Sequence, residues 1–408
     1  MKCRHCQTPL ATSFIDLGSA PPSNAYLGKD DLKKPEKWYP LHILVCEHCW
    51  LVQTEDYADA DELFSEDYAY FSSFSKSWLA HAENFVEKMQ ARFGLTDASH
   101  IVEIASNDGY LLQYVQERGI PCLGIEPTKS TAAASREKGI DTLEEFFGVA
   151  LAERLAAEGK QADLTAANNV LAHVPDINDF VRGFSLLLKP SGVASFEFPH
   201  LMQLVTHGQF DTIYHEHYSY LSLTAVSHIF AANGLTVFDV EELPTHGGSL
   251  RVYACRADTE AHKVQDSVSA LLAREKAAGM QTAAYYAGFQ DKADKIKNDF
   301  LEFLLFAKRE GKTVAGYGAA AKGNTLLNYA GIRPDLLPFV VDMNPAKQGK
   351  FLPGSRIPIL PPAAIEERKP DFVIILPWNL RTEIAEQLAY IRSWDGQFVT
   401  AVPELEAA

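Results

Sequence analysis

Ile101-Val102-Glu103-Ile104-Ala105-Ser106-Asn107-Asp108-Gly109 reads as a short apolar strand that runs into a turn of small residues and opens a helix. Ala105 is nearly as small as glycine and Asn107 tolerates positive φ, so a tight turn is expected there. The next strand, 121–125, ends in Gly124-Ile125-Glu126. An acid about twenty positions past such a turn is placed to accept both hydroxyls of a ribose. Apolar runs follow at 164–168, 192–198, 234–240 and 249–256, the last after a turn at Gly247-Gly248. Upstream, Leu79, Ala82, Phe85, Val86 and Met89 share one face of a helix over 76–93. Strands alternating with helices predict βαβ units and a mainly parallel sheet. Long helices are expected over 259–310, broken near Gly279 and Gly288, and a second βαβ set over 313–317, 339–342, 372–376 and 397–401. The fold class is therefore α/β, with two such units in series.

A chain of 408 residues divides into two or three domains of roughly 100–200 residues each. The texture places them at 1–72, 73–258 and 259–408. The 37 basic and 53 acidic side chains leave a formal charge of −16, which repels phosphate backbones and argues against a nucleic acid polymer as partner. No apolar run approaches the roughly 18–20 residues that span a bilayer, so no membrane partner is expected. Met1-Lys2-Cys3-Arg4-His5-Cys6 has no signal-peptide core, and a cytoplasmic location follows as an expectation. With no heptad or exposed interface pattern, a monomer or weak homo-oligomer is expected.

Residues 1–72 are rich in turn formers such as Pro21-Pro22-Ser23-Asn24 and read as a loop-rich module in need of a staple. Cys3-x-x-Cys6 and Cys46-x-x-Cys49 supply one: two such turns bring four thiolates to one tetrahedral Zn²⁺. A closed four-thiolate site has no open position, so its role is structural, contributing on the order of 10 kcal/mol to folding. His5 and His48 lie inside the turns as alternative ligands, while Cys122 and Cys255 sit in apolar runs as core thiols.

Two further segments carry chemistry. Tyr214-His215-Glu216-His217-Tyr218 is the densest titratable cluster in the chain. Extended, it would send Tyr214, Glu216 and Tyr218 one way and His215 and His217 the other. A polar loop and a His-x-His metal site are the alternatives to general acid–base chemistry there. Gly316-Tyr317-Gly318-Ala319-Ala320-Ala321-Lys322-Gly323 follows a strand, and Asp342 ends the next one. Alone, that matches a dinucleotide fingerprint and keeps NAD binding open; amides at the helix start plus Lys322 suit a pyrophosphate equally well.

The strand and turn at 101–109 resemble the cofactor turn of class I, Rossmann-like methyltransferases, with Ala105 and Asn107 standing where two glycines are usual. Together with Cys3-x-x-Cys6…Cys46-x-x-Cys49, Asn169–His173 with Val174-Pro175-Asp176, Tyr214–His217, Thr245–Arg251 and Gly316–Thr325, the chain is similar to the zinc-containing sugar C-methyltransferases of the tetronitrose and mycarose pathways. The resemblance covers nearly the whole chain in order: zinc module, methyltransferase domain, second Rossmann-like unit. It implies S-adenosylmethionine as methyl donor, held by Glu103, Ala105, Asn107, Asp108, Gly109, Glu126, Asn168 and Asn169, although Glu103 equally suits a helix-capping carboxylate. It further implies a nucleotide-diphosphate sugar methylated at C3 beside a 4-keto group. His217 is then the leading base and His173 the second candidate, with Tyr214 and Glu216 orienting substrate or stabilising charge. Tyr68, Tyr70, His246, Lys322 and Gly323 are the implied substrate contacts. An O- or N-methyltransferase of another small molecule, or an NAD-dependent enzyme, is the alternative.

Overall fold

The computed structural model describes residues 1–55, 57, 71–259 and 261–407. Three sheets organise them, with strands numbered β1 to β17 along the chain. The central sheet has seven strands in the order β10-β11-β8-β7-β4-β5-β6. Its axis is β4 (Ile101–Ile104), all four residues of which are buried, as a strand covered by helices on both faces must be. Parallel neighbours are β5 (Cys122–Ile125) and β7 (Ala162–Asn168), followed by β6 (Thr142–Leu143) and β8 (Leu188–Pro199). A reversed hairpin closes one edge: β11 (Ser249–Arg256) runs antiparallel between β8 and β10 (Leu235–Leu243).

The expected helix over 76–93 forms as Lys76–Phe93. Ser75 caps its start by accepting the Trp78 amide at 3.3 Å, and Gly94 ends it at φ +63°. Ala82, Phe85, Val86 and Met89 are its buried face.

The second α/β unit is a six-stranded sheet, β14-β13-β12-β15-β16-β17. The four expected strands form as β12 (Val314–Tyr317), β13 (Val340–Val341), β15 (Phe372–Ile375) and β16 (Gln397–Thr400). Two-residue edge strands β14 (Ile359–Leu360) and β17 (Glu406–Ala407) are too short to leave a periodic signal.

The first module is more regular than its composition suggested. Beside the cysteine turns it carries an antiparallel meander, β1 (Thr12–Ala20), β2 (Tyr39–Val45) and β3 (Val52–Thr54). Register shifts between Ser13 and Ile15 and between Asp16 and Ser19 bury Phe14 and Ile15 side by side, which destroys the period of two that marks a strand. A fourth strand, β9 (Ser219–Tyr220), pairs with β3, so the module's sheet includes the chain just beyond His217.

Candidate active site

The two cysteine turns are near copies. In each, the residue after the second cysteine takes positive φ (Gln7 +60°, Trp50 +61°) and donates its amide to the first cysteine's carbonyl, at 3.0 and 2.8 Å. The four sulfurs lie within 4.8 Å of one another, with Cys3–Cys49 at 3.6 Å and Cys6–Cys46 at 3.5 Å. A tetrahedral Zn²⁺ with 2.3 Å bonds needs edges of about 3.8 Å, so the donor set fits that ion. His5 is not a fifth candidate: its Nδ1 is 2.8 Å from Asn178 Oδ1.

At the C-terminal edge of the central sheet, the cofactor turn curls as its residue types suggested. Ala105 (+58°), Asn107 (+50°) and Gly109 (+74°) all take positive φ. A Cβ on Gly109 would lie 2.5 Å from Ile140 Cδ1 and 2.9 Å from Ser135 Oγ. Gly109→Ala is therefore expected to destabilise the protein by about 1–3 kcal/mol, visible as a lower denaturant midpoint, with weakened S-adenosylhomocysteine binding. An unchanged midpoint would mean that the turn relaxes freely.

Glu126 closes over this turn. Its two oxygens accept the amides of Asn107 and Thr128, each at 2.9 Å. Burial pushes its carboxyl up from the ordinary range, against those amides. Burial likewise holds the Glu103 carboxyl well up, reinforced by Asp108 and Glu126 and opposed by the Tyr110 hydroxyl. Asp108 Oδ2 is 3.4 Å from Lys138 Nζ. Asn168 ends β7 and Asn169 follows it, and the Oδ1 atom of each is buried with no hydrogen-bond partner among the described residues. Two orphaned acceptors beside a positive-φ turn and a ribose-type acid fit a nucleoside-bearing cofactor.

Past Asn169, which itself sits at φ +55°, the chain reaches His173, and here the Tyr214–Tyr218 segment returns. The segment is not extended. A turn at 215–216 brings the His217 amide to the Tyr214 carbonyl at 2.9 Å, so Tyr214 and His217 share one side, with ring centroids 3.9 Å apart. The alternation expected for a strand fails because β9 begins only at Ser219. His217 packs against His173 at 4.6 Å. Glu216 turns inward instead: it is 1% exposed, and Asn24 Nδ2 lies 2.8 Å from both its oxygens. His215 approaches the Tyr39 and Pro40 carbonyls at 3.2 Å.

His246, in the positive-φ stretch 246–248, has its Nε2 3.3 Å from the Asn169 side-chain Nδ2. Lys322 arrives from the second α/β unit, its Nζ on Asn379 Oδ1 at 2.7 Å and 4.7 Å above the Trp378 ring. His173, Tyr214, His217, His246 and Lys322 are each half-buried: crowded by protein, yet open on one side, as in a cleft. That crowding depresses the basic groups. His173 and His246 are lowered to about 4, chiefly by burial, His217 well below its ordinary value by burial, His173 and Lys322, and Lys322 by burial against the pull of Asp211. Gly323 has a packing reason, since a Cβ would lie 2.7 Å from Leu376 Cβ. Tyr68 and Tyr70 lie outside the described residues.

The second glycine turn is covered from the first module. Ala319 O accepts the Tyr26 hydroxyl at 2.6 Å and Lys347 Nζ at 2.9 Å. Asp342, the acid a dinucleotide ribose would need, accepts the Ala319 and Asn344 amides at 2.7 and 2.8 Å.

Several site residues had no motif to announce them. Asp211, fully buried, accepts Trp378 Nε1–H at 2.7 Å and is raised to about 6 by burial. Glu197 gathers His81 at 2.9 Å, Arg251 at 3.0 Å and Thr245 at 3.1 Å. Burial alone would raise Glu197, but His81 and Arg251 hold it below the ordinary carboxylate range. An acid inside the apolar run 192–198 was the one available signal.

Comparison with known proteins agrees with this architecture. Residues 3–64 match a zinc binding domain, 78–240 a methyltransferase domain and 244–403 the C-methyltransferase C-terminal domain. C-methyltransferase NovU of Streptomyces niveus is 34% identical over 403 residues, covering 99% of this chain and 96% of that protein. The ubiquinone biosynthesis O-methyltransferase of Bordetella avium is 25% identical over 113 residues, covering 27% of this chain and 47% of that one. Among solved structures, the magnesium protoporphyrin IX methyltransferase of Synechocystis aligns with a TM-score of 0.34 at 14% identity, over 44% of this chain and 79% of that one.

Proposed function

The chain belongs to the zinc-containing C-methyltransferases, and from that premise we propose that it methylates C3 of a nucleotide-linked 4-keto-deoxysugar through a base-generated enolate. It is an S-adenosylmethionine-dependent enzyme with a four-cysteine zinc centre. S-adenosylmethionine supplies an electrophilic methyl carried on a sulfonium sulfur; the chain's task is to make carbon a nucleophile beside it.

One observation carries the proposal: His217 Nδ1 is 2.7 Å from the Thr212 carbonyl. A carbonyl oxygen only accepts, so Nδ1 holds the proton and Nε2 keeps its lone pair. Burial, His173 and Lys322 all disfavour the imidazolium. A neutral imidazole with its tautomer set suits a general base. Its Nε2 takes the C3 proton, the C–H electron pair becomes the C3–C4 double bond, and negative charge gathers on the ketone oxygen. With S-adenosylmethionine bound, C3 would take up the methyl carbon as its bond to sulfur breaks, the electron pair leaving with neutral S-adenosylhomocysteine. Tyr214, against the same imidazole, and His246 line the substrate's path in this reading. Lys322 is the cleft's cation for the substrate's anionic groups. Glu216 acts indirectly, anchoring Asn24 of the first module behind the base.

Deuterium exchange tests the enolate directly. Incubated in D₂O without methyl donor, a nucleotide-linked 4-keto-6-deoxyhexose should gain deuterium at C3, seen by NMR. An enzyme that transfers methyl yet never exchanges that position would point to an O- or N-methyl acceptor.

A further inference from the structure

The thiolate site and the imidazole cleft are joined by two buried side chains that are not zinc ligands. Gln53, fully buried in β3, donates Nε2–H to Cys3 Sγ at 3.2 Å and accepts the Arg4 amide on Oε1 at 2.8 Å. Arg4, inside the first cysteine turn, sends its guanidinium the other way. Its Nη1 donates to the Pro175 carbonyl at 2.8 Å, its Nη2 to the Thr54 carbonyl at 2.9 Å, and its Cζ lies over the Tyr218 ring, 5.2 Å from the centroid. Pro175 is two residues past His173, and Tyr218 is the neighbour of His217. The main chain follows the same line. Gln53 pairs with Ser219 and Val52 with Tyr220, and the Thr54 amide donates to the Tyr218 carbonyl at 3.1 Å.

We propose that Arg4 and Gln53 are positioning residues that transmit the geometry of the four-thiolate zinc site to His173 and His217. A donor to a ligating sulfur fixes that sulfur's direction, and such outer contacts are commonly worth 10–100-fold in metal affinity or activity. Here the outer contact does not end in the module. A rigid planar guanidinium with two carbonyl acceptors carries it into the loop after His173 and onto the ring beside His217. Zinc thus sets the two imidazoles as well as folding the first module. The catalytic meaning of that coupling rests on the reading of His217 as base; the coupling itself does not.

The full-length protein serves for the test, with none of the readouts using substrate. Hydrogen exchange by mass spectrometry compares the zinc-loaded protein with the same protein stripped by EDTA. Stripping is expected to speed exchange over 214–220 and leave 101–109 protected. Zinc-loaded Gln53→Met is expected to bind the ion about 10–100-fold more weakly in competition with a chromogenic chelator. Zinc-loaded Arg4→Met is expected to shift the ¹⁵N imidazole resonances of His217 and His173 but not that of His200. Equal protection of 214–220 with and without zinc would overturn the proposal. So would loss of protection at 214–220 and 101–109 together, which would make zinc a general staple, or imidazole resonances that ignore Arg4→Met. The stripping experiment stands even if neither variant folds.

Discussion

Replacing His217 with asparagine is expected to lower methyl transfer by about 10²–10⁴-fold while S-adenosylhomocysteine binds as before. The lost group is the Nε2 lone pair, which the Thr212 carbonyl keeps free by holding the proton on Nδ1. Among the described residues no carboxylate stands in for it: Glu216, one residue away, is turned inward onto Asn24. His173 is the only imidazole packed face to edge on His217 at 4.6 Å among the described residues, and it defines the competing outcome. If His217→Asn turns over within tenfold of the native enzyme and His173→Asn does not, the base is His173. Turnover measured beside calorimetric titration separates either result from a lost cofactor site.

The pH profile follows from the same surroundings. His217 is held well below the ordinary imidazole value of about 6.5, so its free-base form persists as the solution is acidified. Turnover should therefore stay level through neutrality and fall only below about pH 6.5. Lys322→Met removes one of the positive charges that lower His217, so its acid limb should move upward toward that ordinary value.

The sheet axis was legible because strand and turn obey local rules: a short strand in which Glu103 alone interrupts the apolar residues, then residues small or tolerant enough for positive φ at 105, 107 and 109. Cysteine spacing carried the zinc site for the same reason, since each CxxC turn closes on itself. The cleft was legible only in part. His173, His217, His246 and Lys322 come from segments separated by up to 149 positions, and nothing local tells which imidazole faces which. The turn at 215–216 reversed the expected sides of Tyr214 and His217, because a single tight turn cancels the alternation on which the expectation stood. Asp211, Glu197 and Trp378 escaped for another reason. Each matters through a partner far along the chain, and an isolated acid or indole has no period to betray it.

Glu275→Ala is expected to cost the protein about 3–5 kcal/mol, read from the urea midpoint of the methyltransferase sheet and its helices. Glu275 is fully buried on the helix Asp266–Ala277, yet it serves another helix, Leu223–Ala232. One oxygen accepts the Leu223 amide at 2.7 Å and faces His200 Nε2 at 2.8 Å; the other accepts the Thr224 amide at 2.8 Å and the Thr224 hydroxyl at 2.6 Å. First-turn amides have no partner within their own helix, and the helix dipole favours a negative charge beside them. Ser222 covers the Ala225 amide at 3.1 Å, which leaves the Leu223 and Thr224 amides to Glu275. Alanine strands both amides and His200 in a dry interior, where each unmade bond costs about 1–3 kcal/mol. Glutamine keeps the shape and some of the acceptance, so Glu275→Gln should fall between the two. Burial by itself would raise the Glu275 carboxyl, but His200 and Thr224 hold it below its ordinary value. The contribution is therefore complete above the unfolded value of about 4.3 and drains away as pH falls through the lower, folded one. An alanine variant within 1 kcal/mol of the native protein at neutral pH would show that water reaches these amides, and that the carboxylate is a passenger there.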